Sequence, residues 1–181
     1  IMVSNYLEID GDVDLSTGNI KFDGYLTIRG TVVDGFSVEA SRDVEINGDM
    51  GVGNVKGIVS TEGSIYIKGG IASKGRVEIN AKRNIYTKFL DNAVVTCQGM
   101  VHVGFYSKNS IINAREVVFD SLKGRILGGS VKAVYKVSAP VIGSELEKET
   151  YIEVKGFDRA SLVRDLENTL EKIDELKNEK Q

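Results

Sequence analysis

The amino-acid sequence predicts an all-β fold, a right-handed parallel β-solenoid of about seven or eight coils, followed by a C-terminal α-helix. Short triplets that alternate between apolar and polar residues recur along the chain. Their spacing averages about 19 residues, which is typical of one solenoid coil. Glycine residues stand between the triplets, where a turning chain favours them.

Two kinds of triplet make up each predicted coil. The first is apolar, polar and small in turn; the second, about six residues later, has an outward residue between two inward ones. First triplets begin at Ile20, Val38, Val59, Ile79, Val95, Ile112 and Val131. Second triplets begin at Leu26, Val44, Ile65, Ile85, Val101 and Val117. Ile1-Met2-Val3, followed by Leu7-Glu8-Ile9, resembles an earlier copy.

Stacking coils about 4.8 Å apart would join their inward residues into one continuous core. The outward column of the first triplet is then uniformly polar: Lys21, Glu39, Ser60, Asn80, Thr96, Asn113 and Lys132. Its inward column is small after the first member: Phe22, Ala40, Thr61, Ala81, Cys97, Ala114 and Ala133. We expect this inward column to lie at a tight corner.

The chain changes period near its C-terminus. We therefore divide it into a solenoid domain, residues 1–157, and a helix, residues 158–181, with Asp158 as the N-cap. Apolar residues in the helix follow alternating steps of four and three, the spacing of a coiled-coil seam with one polar interruption. The predicted seam is Leu162, Leu166, Thr169, Ile173 and Leu176. A helix that packs back on the open end of the solenoid as a cap is the alternative.

Composition and charge limit the classes of partner. A net charge of −3, with 23 basic and 26 acidic residues, predicts no broad surface for nucleic acid. No apolar run approaches the roughly 20 residues of a membrane span, so we expect no membrane insertion. The single cysteine, Cys97, allows no internal disulfide, which favours a reducing, cytoplasmic location. The start within a strand and the end within a helix indicate a fragment of a longer protein.

The sequence contains no recognisable motif for catalysis, metal binding or cofactor binding. His102 is the only histidine, and it occupies an outward strand position; Cys97 occupies an inward position among alanines. The segment Asp10–Asp14 lacks the glycine and the final glutamate of a calcium loop. The glycine-rich segments lack the spacing of phosphate-binding loops. We therefore predict no catalytic residue, no metal site and no cofactor.

One outward column departs from a plain polar surface. The second triplets place Tyr66, Tyr86, His102 and Val118 at equivalent positions, so we expect a ladder along one face. Stacking within a ladder stabilises a solenoid, and exposed aromatic residues also mark contact surfaces. These four residues are the predicted protein-contact site, with stacking alone as the alternative.

Several segments resemble the bacterial flagellar assembly protein A family, in the family's order, between about residue 5 and about residue 155. The matching segments are Gly11–Ile20 (GDVDLSTGNI), Ile28–Val32, Asp34–Phe36, Ile67–Ile71, Asn84–Ala93 (NIYTKFLDNA) and Leu127–Gly129. The resemblance implies a cytoplasmic bacterial β-solenoid, related in architecture to bactofilins and followed by a coiled coil. It also implies protein–protein contacts in flagellar assembly at the cell pole, and it carries no catalytic motif.

Two functional classes follow from these observations. The favoured one is a non-catalytic scaffold that binds protein partners and forms homo-oligomers through the helix or a solenoid face. The alternative is a β-helix enzyme that acts on a polysaccharide or an acyl-transfer substrate. Such an enzyme needs grouped carboxylates or basic residues along one groove, whereas the outward columns mix Lys, Glu, Ser and Asn. Gaps of irregular length between triplets also disfavour a hexapeptide acyltransferase.

Overall fold

The computed structural model describes residues 5–146, 148–156 and 158–180. Within them the chain forms one 13-stranded sheet and a single helix, α1 (Arg159–Glu179). The early copy expected at Ile1-Met2-Val3 and the domain boundary at Phe157 lie outside the described residues. The strands are β1 (Tyr6–Ile9), β2 (Ile20–Phe22), β3 (Tyr25–Ile28), β4 (Ser37–Ala40), β5 (Val44–Ile46), β6 (Gly57–Ser60), β7 (Ile65–Ile67), β8 (Ile71–Ala81), β9 (Ile85–Cys97), β10 (Met100–Phe119), β11 (Arg125–Ser138), β12 (Val141–Ile142) and β13 (Thr150–Val154).

The sheet winds into coils because each strand pairs, in parallel, with the strand one coil later. The first face contains β2, β4, β6 and the end of β8; the second contains β1, β3, β5, β7 and the start of β9. A third face begins with isolated bridges and continues through Ile71, Leu90, Ser107 and Ile126. The predicted parallel β-solenoid, with about eight turns, is confirmed.

Alternation along each strand builds the core. On the second face the inward residues of successive coils lie in one column, and each is 0% exposed: Leu26, Val44, Ile65, Ile85, Val101 and Val117. Because adjacent coils are joined by backbone hydrogen bonds, these side chains pack above one another in a continuous apolar interior. A single coil could not exclude water from them.

The first triplet of the third copy was predicted one residue too late. The pairs Ala40–Ser60 and Ser60–Ala81 show that this triplet is Ile58-Val59-Ser60. Ser60 therefore points inward and is 2% exposed, while Val59 occupies the outward column and Thr61 lies beyond the strand. The error arose because Ile58 and Val59 are both apolar, so alternation alone does not assign them to faces.

Acidic and amide side chains at the corners join one coil to the next. Asp12, Asp43 and Asn84 each accept a hydrogen bond, at 2.8 Å, from the backbone N–H of a residue in the following coil. Asp34 does the same for the N–H of Asn54 at 2.8 Å, and its second oxygen accepts from Asn54 Nδ2 at 2.9 Å. The corners thus satisfy backbone donors that the strand pairing leaves free.

The substitution Asp34→Asn is expected to weaken the fold more at neutral pH than in acid. Hydrogen bonds from the Asn54 side chain and backbone hold the pKa of the Asp34 carboxyl below its usual value of 3.8. A lowered folded-state pKa stabilises the fold above pH 3.8, and the stabilisation disappears as pH falls through the folded-state value. Denaturant midpoints of the wild type and of Asp34→Asn, measured at pH 7 and at pH 3, give the difference in stability between the two proteins. This difference, the gap, should be smaller at pH 3. A gap that widens in acid would contradict the assignment.

Close contact between coils requires glycine at some corners. A Cβ on Gly51, whose φ is +71°, would lie 2.0 Å from the Gly70 carbonyl oxygen. A Cβ on Gly70 would lie 2.2 Å from the ring of Phe89 in the following coil. Gly51 thus allows the close approach of two backbone segments, and Gly70 allows the ring of Phe89 to lie against the backbone.

Candidate protein-contact site

The predicted aromatic ladder lies on the second face. Strand pairing sets Tyr66 of β7 beside Tyr86 of β9, and Tyr86 beside His102 of β10. The ring centroids of Tyr66 and Tyr86 are 4.8 Å apart with an interplanar angle of 4°, and those of Tyr86 and His102 are 4.7 Å apart at 9°. Outward residues in register repeat at the strand spacing, which is close to a stacking distance.

The column continues to Val118. Asp120 donates its backbone N–H to the Val103 carbonyl oxygen at 3.0 Å, a pairing that places Val118 beside His102 in the next coil. At the other end, Tyr66 pairs with Glu45. The structure therefore brings all four predicted residues into one outward column, and their role in protein contact stays a prediction.

A groove of about 330 Å³ runs beside the ladder. Its lining includes Lys68 and Asp120. Lys68 Nζ lies 3.0 Å from Asp49, and His102 Nδ1 lies 3.4 Å from Asp120. The hydrogen bond and charge of Lys68 hold the pKa of the Asp49 carboxyl below its usual range. Partial burial raises the pKa of Tyr66, so its hydroxyl stays protonated and can donate a hydrogen bond at neutral pH. The groove thus combines apolar ring edges with donors and acceptors for a partner's surface.

Sequence reasoning missed a second aromatic pair. Phe89 and Tyr106 stack on the third face, with centroids 5.2 Å apart and an interplanar angle of 11°. Nearby, Phe105 is 55% exposed. The prediction contains only two triplets per coil, because the third face has no triplet of comparable regularity. Its signal would have been the inward positions Ile71, Leu90 and Ile126, the first two one coil apart and the last two coils further on.

Helix α1 begins as predicted. The side chain of Asp158 accepts hydrogen bonds from the N–H groups of Ala160 and Ser161 at 3.1 and 3.3 Å, so Asp158 is the N-cap. No described residue of α1 is buried, and the helix does not cover the end of the solenoid. The described part of the helix therefore gives the capping alternative no support.

The apolar side of α1 is broader than the predicted seam. Leu166, Ile173 and Leu176 are 41–60% exposed, and Leu162 is half-buried beside the last coil. Leu170, which the prediction omitted, is 52% exposed. Thr169 donates its hydroxyl to the Asp165 carbonyl oxygen at 2.7 Å. Its hydroxyl is thus satisfied within the helix, although the seam itself stays a prediction.

Cys97, possible metal ligands and possible membrane spans were the remaining features considered in the sequence analysis. Cys97 is 6% exposed, and burial raises the pKa of its thiol to about 11, so it is protonated at neutral pH. Among the described residues no group of three or more His, Cys, Asp or Glu side chains could hold a metal ion. In the same part of the chain, no helix is both long enough and apolar enough to span a membrane.

Comparison with known proteins identifies the chain's family. A family model described as the Flagellar Assembly Protein A beta solenoid domain matches residues 5–181. No curated protein and no solved structure matches the chain. The match covers nearly the whole sequence, and the parallel solenoid is the fold that its description states. The chain belongs to the Flagellar Assembly Protein A β-solenoid family.

Proposed function

We propose that this chain is a non-catalytic scaffold whose second face binds a protein partner through the aromatic ladder. The observation that supports it most is the continuous stack of Tyr66, Tyr86 and His102 beside a groove with polar walls. A rigid face loses little conformational freedom on binding, which favours affinity. Tyrosine supplies apolar area together with a hydroxyl, a combination enriched in protein interfaces.

Self-association through α1 is the second part of the proposal. An isolated helix of this length is marginal in water unless an apolar side is covered. The exposed residues Leu166, Leu170 and Ile173 would be covered if α1 paired with α1 of another copy. Pairing would place two or more ladders on one particle and raise their effective affinity for a partner with repeated sites.

The family suggests where such a scaffold acts. Its description names flagellar assembly, and we propose a cytoplasmic role in that assembly, at the cell pole, through protein–protein contacts. The lone buried cysteine suits a reducing compartment.

Replacing Tyr66 and Tyr86 together by Ser is expected to lower binding by the second face at least tenfold. The double change removes both stacked pairs of the ladder, Tyr66–Tyr86 and Tyr86–His102, and most of its aromatic area. Binding of the purified chain to a panel of purified flagellar assembly proteins, by surface plasmon resonance, will measure the loss. Light scattering on the chain alone will show whether a second solenoid occupies the face instead.

The double variant Phe89→Ser and Tyr106→Ser is the matched control. It also replaces two stacked aromatic residues by Ser, but on the third face. We expect it to bind as the wild type does, with circular dichroism showing the fold intact in both. If Tyr66→Ser and Tyr86→Ser change neither binding nor mass, the ladder serves stacking alone.

A further inference from the structure

A second groove, of about 360 Å³, lies at the corner where the first face turns into the second. Its floor is formed by the small inward residues Cys97, Ala114 and Ala133, and its rim carries Arg115, Lys132 and Lys155. This basic groove, defined by these six residues, is separate from the aromatic ladder. Among the described residues, no carboxylate side chain lines it.

The cations of the basic groove are scarcely neutralised by the protein. Arg115 and Lys155 form no ion pair within the described residues. Lys132 Nζ lies 3.9 Å from the Glu153 carboxylate and 5.9 Å from the centre of the Tyr151 ring. Earlier coils of the same face and corner are different: Lys21 pairs with Glu39, and Arg42 with Glu62, each at 3.2 Å. The cations of the basic groove therefore lack the close carboxylate partners that Lys21 and Arg42 have.

The spacing of the cations suits an extended chain. Backbone hydrogen bonds from Lys155 N–H to the Ala133 carbonyl oxygen, and from Gly156 N–H to that of Val134, place Lys155 two coils from Arg115. Two strand spacings are about 10 Å, and Lys132 lies on the coil between. Side chains on one side of an extended peptide repeat about every 7 Å, so two or three carboxylates along such a peptide can meet these cations.

The shape of the groove also favours a peptide. It is open to solvent rather than enclosed, whereas a pocket for a small molecule encloses most of its ligand. Successive side chains of an extended peptide point to opposite sides. Those on one side can contact the apolar floor, and carboxylates of the peptide can pair with the cations of the rim. We propose that the basic groove binds an acidic, extended segment of a partner protein. This inference rests on the proposed scaffold function and adds a second, charge-selective contact to it.

Two fluorescein-labelled peptides, Gly-Glu-Leu-Glu-Val-Glu-Gly and the same sequence with Gln for Glu, are the probes. We expect anisotropy titrations of the full chain in about 100 mM NaCl to show the acidic peptide binding about tenfold tighter, with an affinity that falls as salt rises. The double variant Arg115→Gln and Lys155→Gln should remove that tenfold preference. Arg42→Gln, which changes an ion-paired cation at the same corner, should leave it unchanged.

Three outcomes would overturn the inference. They are equal binding of the two peptides, an unchanged preference in the double variant with intact circular dichroism, and tighter binding of a single-stranded oligonucleotide that depends on the same two residues. The last would assign the groove to nucleic acid. The aromatic ladder is tested separately, with Tyr66→Ser and Tyr86→Ser. If the peptide experiment contradicts the basic groove but the ladder variant loses partner binding, only this inference is wrong. If both experiments give the contradicting result, the proposed scaffold function is wrong as well.

Discussion

Replacing Ile85 by Ala is expected to lower the free energy of unfolding by about 2–5 kcal/mol. Ile85 is 0% exposed and lies between Ile65 and Val101 in the inward column of the second face. The shorter side chain leaves a cavity that neighbouring coils, held by hydrogen bonds, fill only partly. Because each coil is stabilised by the coils beside it, the substitution lowers the stability of both neighbouring coils as well.

Guanidinium denaturation followed by circular dichroism measures this loss. Ile85→Val should cost only about 0.5–1.5 kcal/mol, since it removes a single methylene. The matched control is Ile111→Ala on an outward, half-exposed position of β10, which should cost less than about 1 kcal/mol. Equal losses for Ile85→Ala and Ile111→Ala would contradict the assignment of inward and outward columns.

Replacing Leu166 and Ile173 together by Ser is expected to convert an oligomer into a particle of one chain mass, 19.7 kDa. These side chains are 59% and 41% exposed and lie on the apolar side of α1, so they would be the central contacts between helices. Polar residues there remove the apolar area that drives association while leaving the solenoid untouched. Light scattering over a range of protein concentrations measures the mass.

Glu167→Ser with Asp174→Ser is the control for this change. Both positions are exposed and each directly follows one of the two apolar residues, so helix propensity changes comparably while the apolar side is kept. The control should retain the wild-type mass. A chain lacking residues 158–181 should match the Leu166→Ser, Ile173→Ser variant; if it stays oligomeric, association occurs through a solenoid face instead.

The third face shows where prediction from periodicity ends. Phe89 lies over Gly70 of the preceding coil. The alternation of apolar and polar residues around these two positions does not predict their contact. The length of a coil varies, because Ile85 pairs with Val101, 16 residues on, whereas Val131 pairs with Ile152, 21 residues on. Alternation is a local property, so it does not specify how the chain crosses a corner.

The basic groove depends on register in the same way. A shift in pairing between Ala114 and Glu116 helps to place Arg115 in the corner column that later receives Lys155. The two residues are far apart in sequence, and each alone looks like an ordinary surface cation. Their proximity follows from the winding of the last coils.

By itself, the sequence determined that the chain stacks as parallel coils and that Tyr66, Tyr86 and His102 share an outward column. It could do so because inward apolar residues repeat strictly on the second face. Once these inward residues are aligned from coil to coil, the outward residue between each pair of them is aligned as well. The tertiary structure alone decided the register at Ile58–Ser60, the Phe89–Tyr106 stack and the gathering of cations at the last corner. Those features depend on hydrogen bonds and packing between coils, which act across corners of variable length.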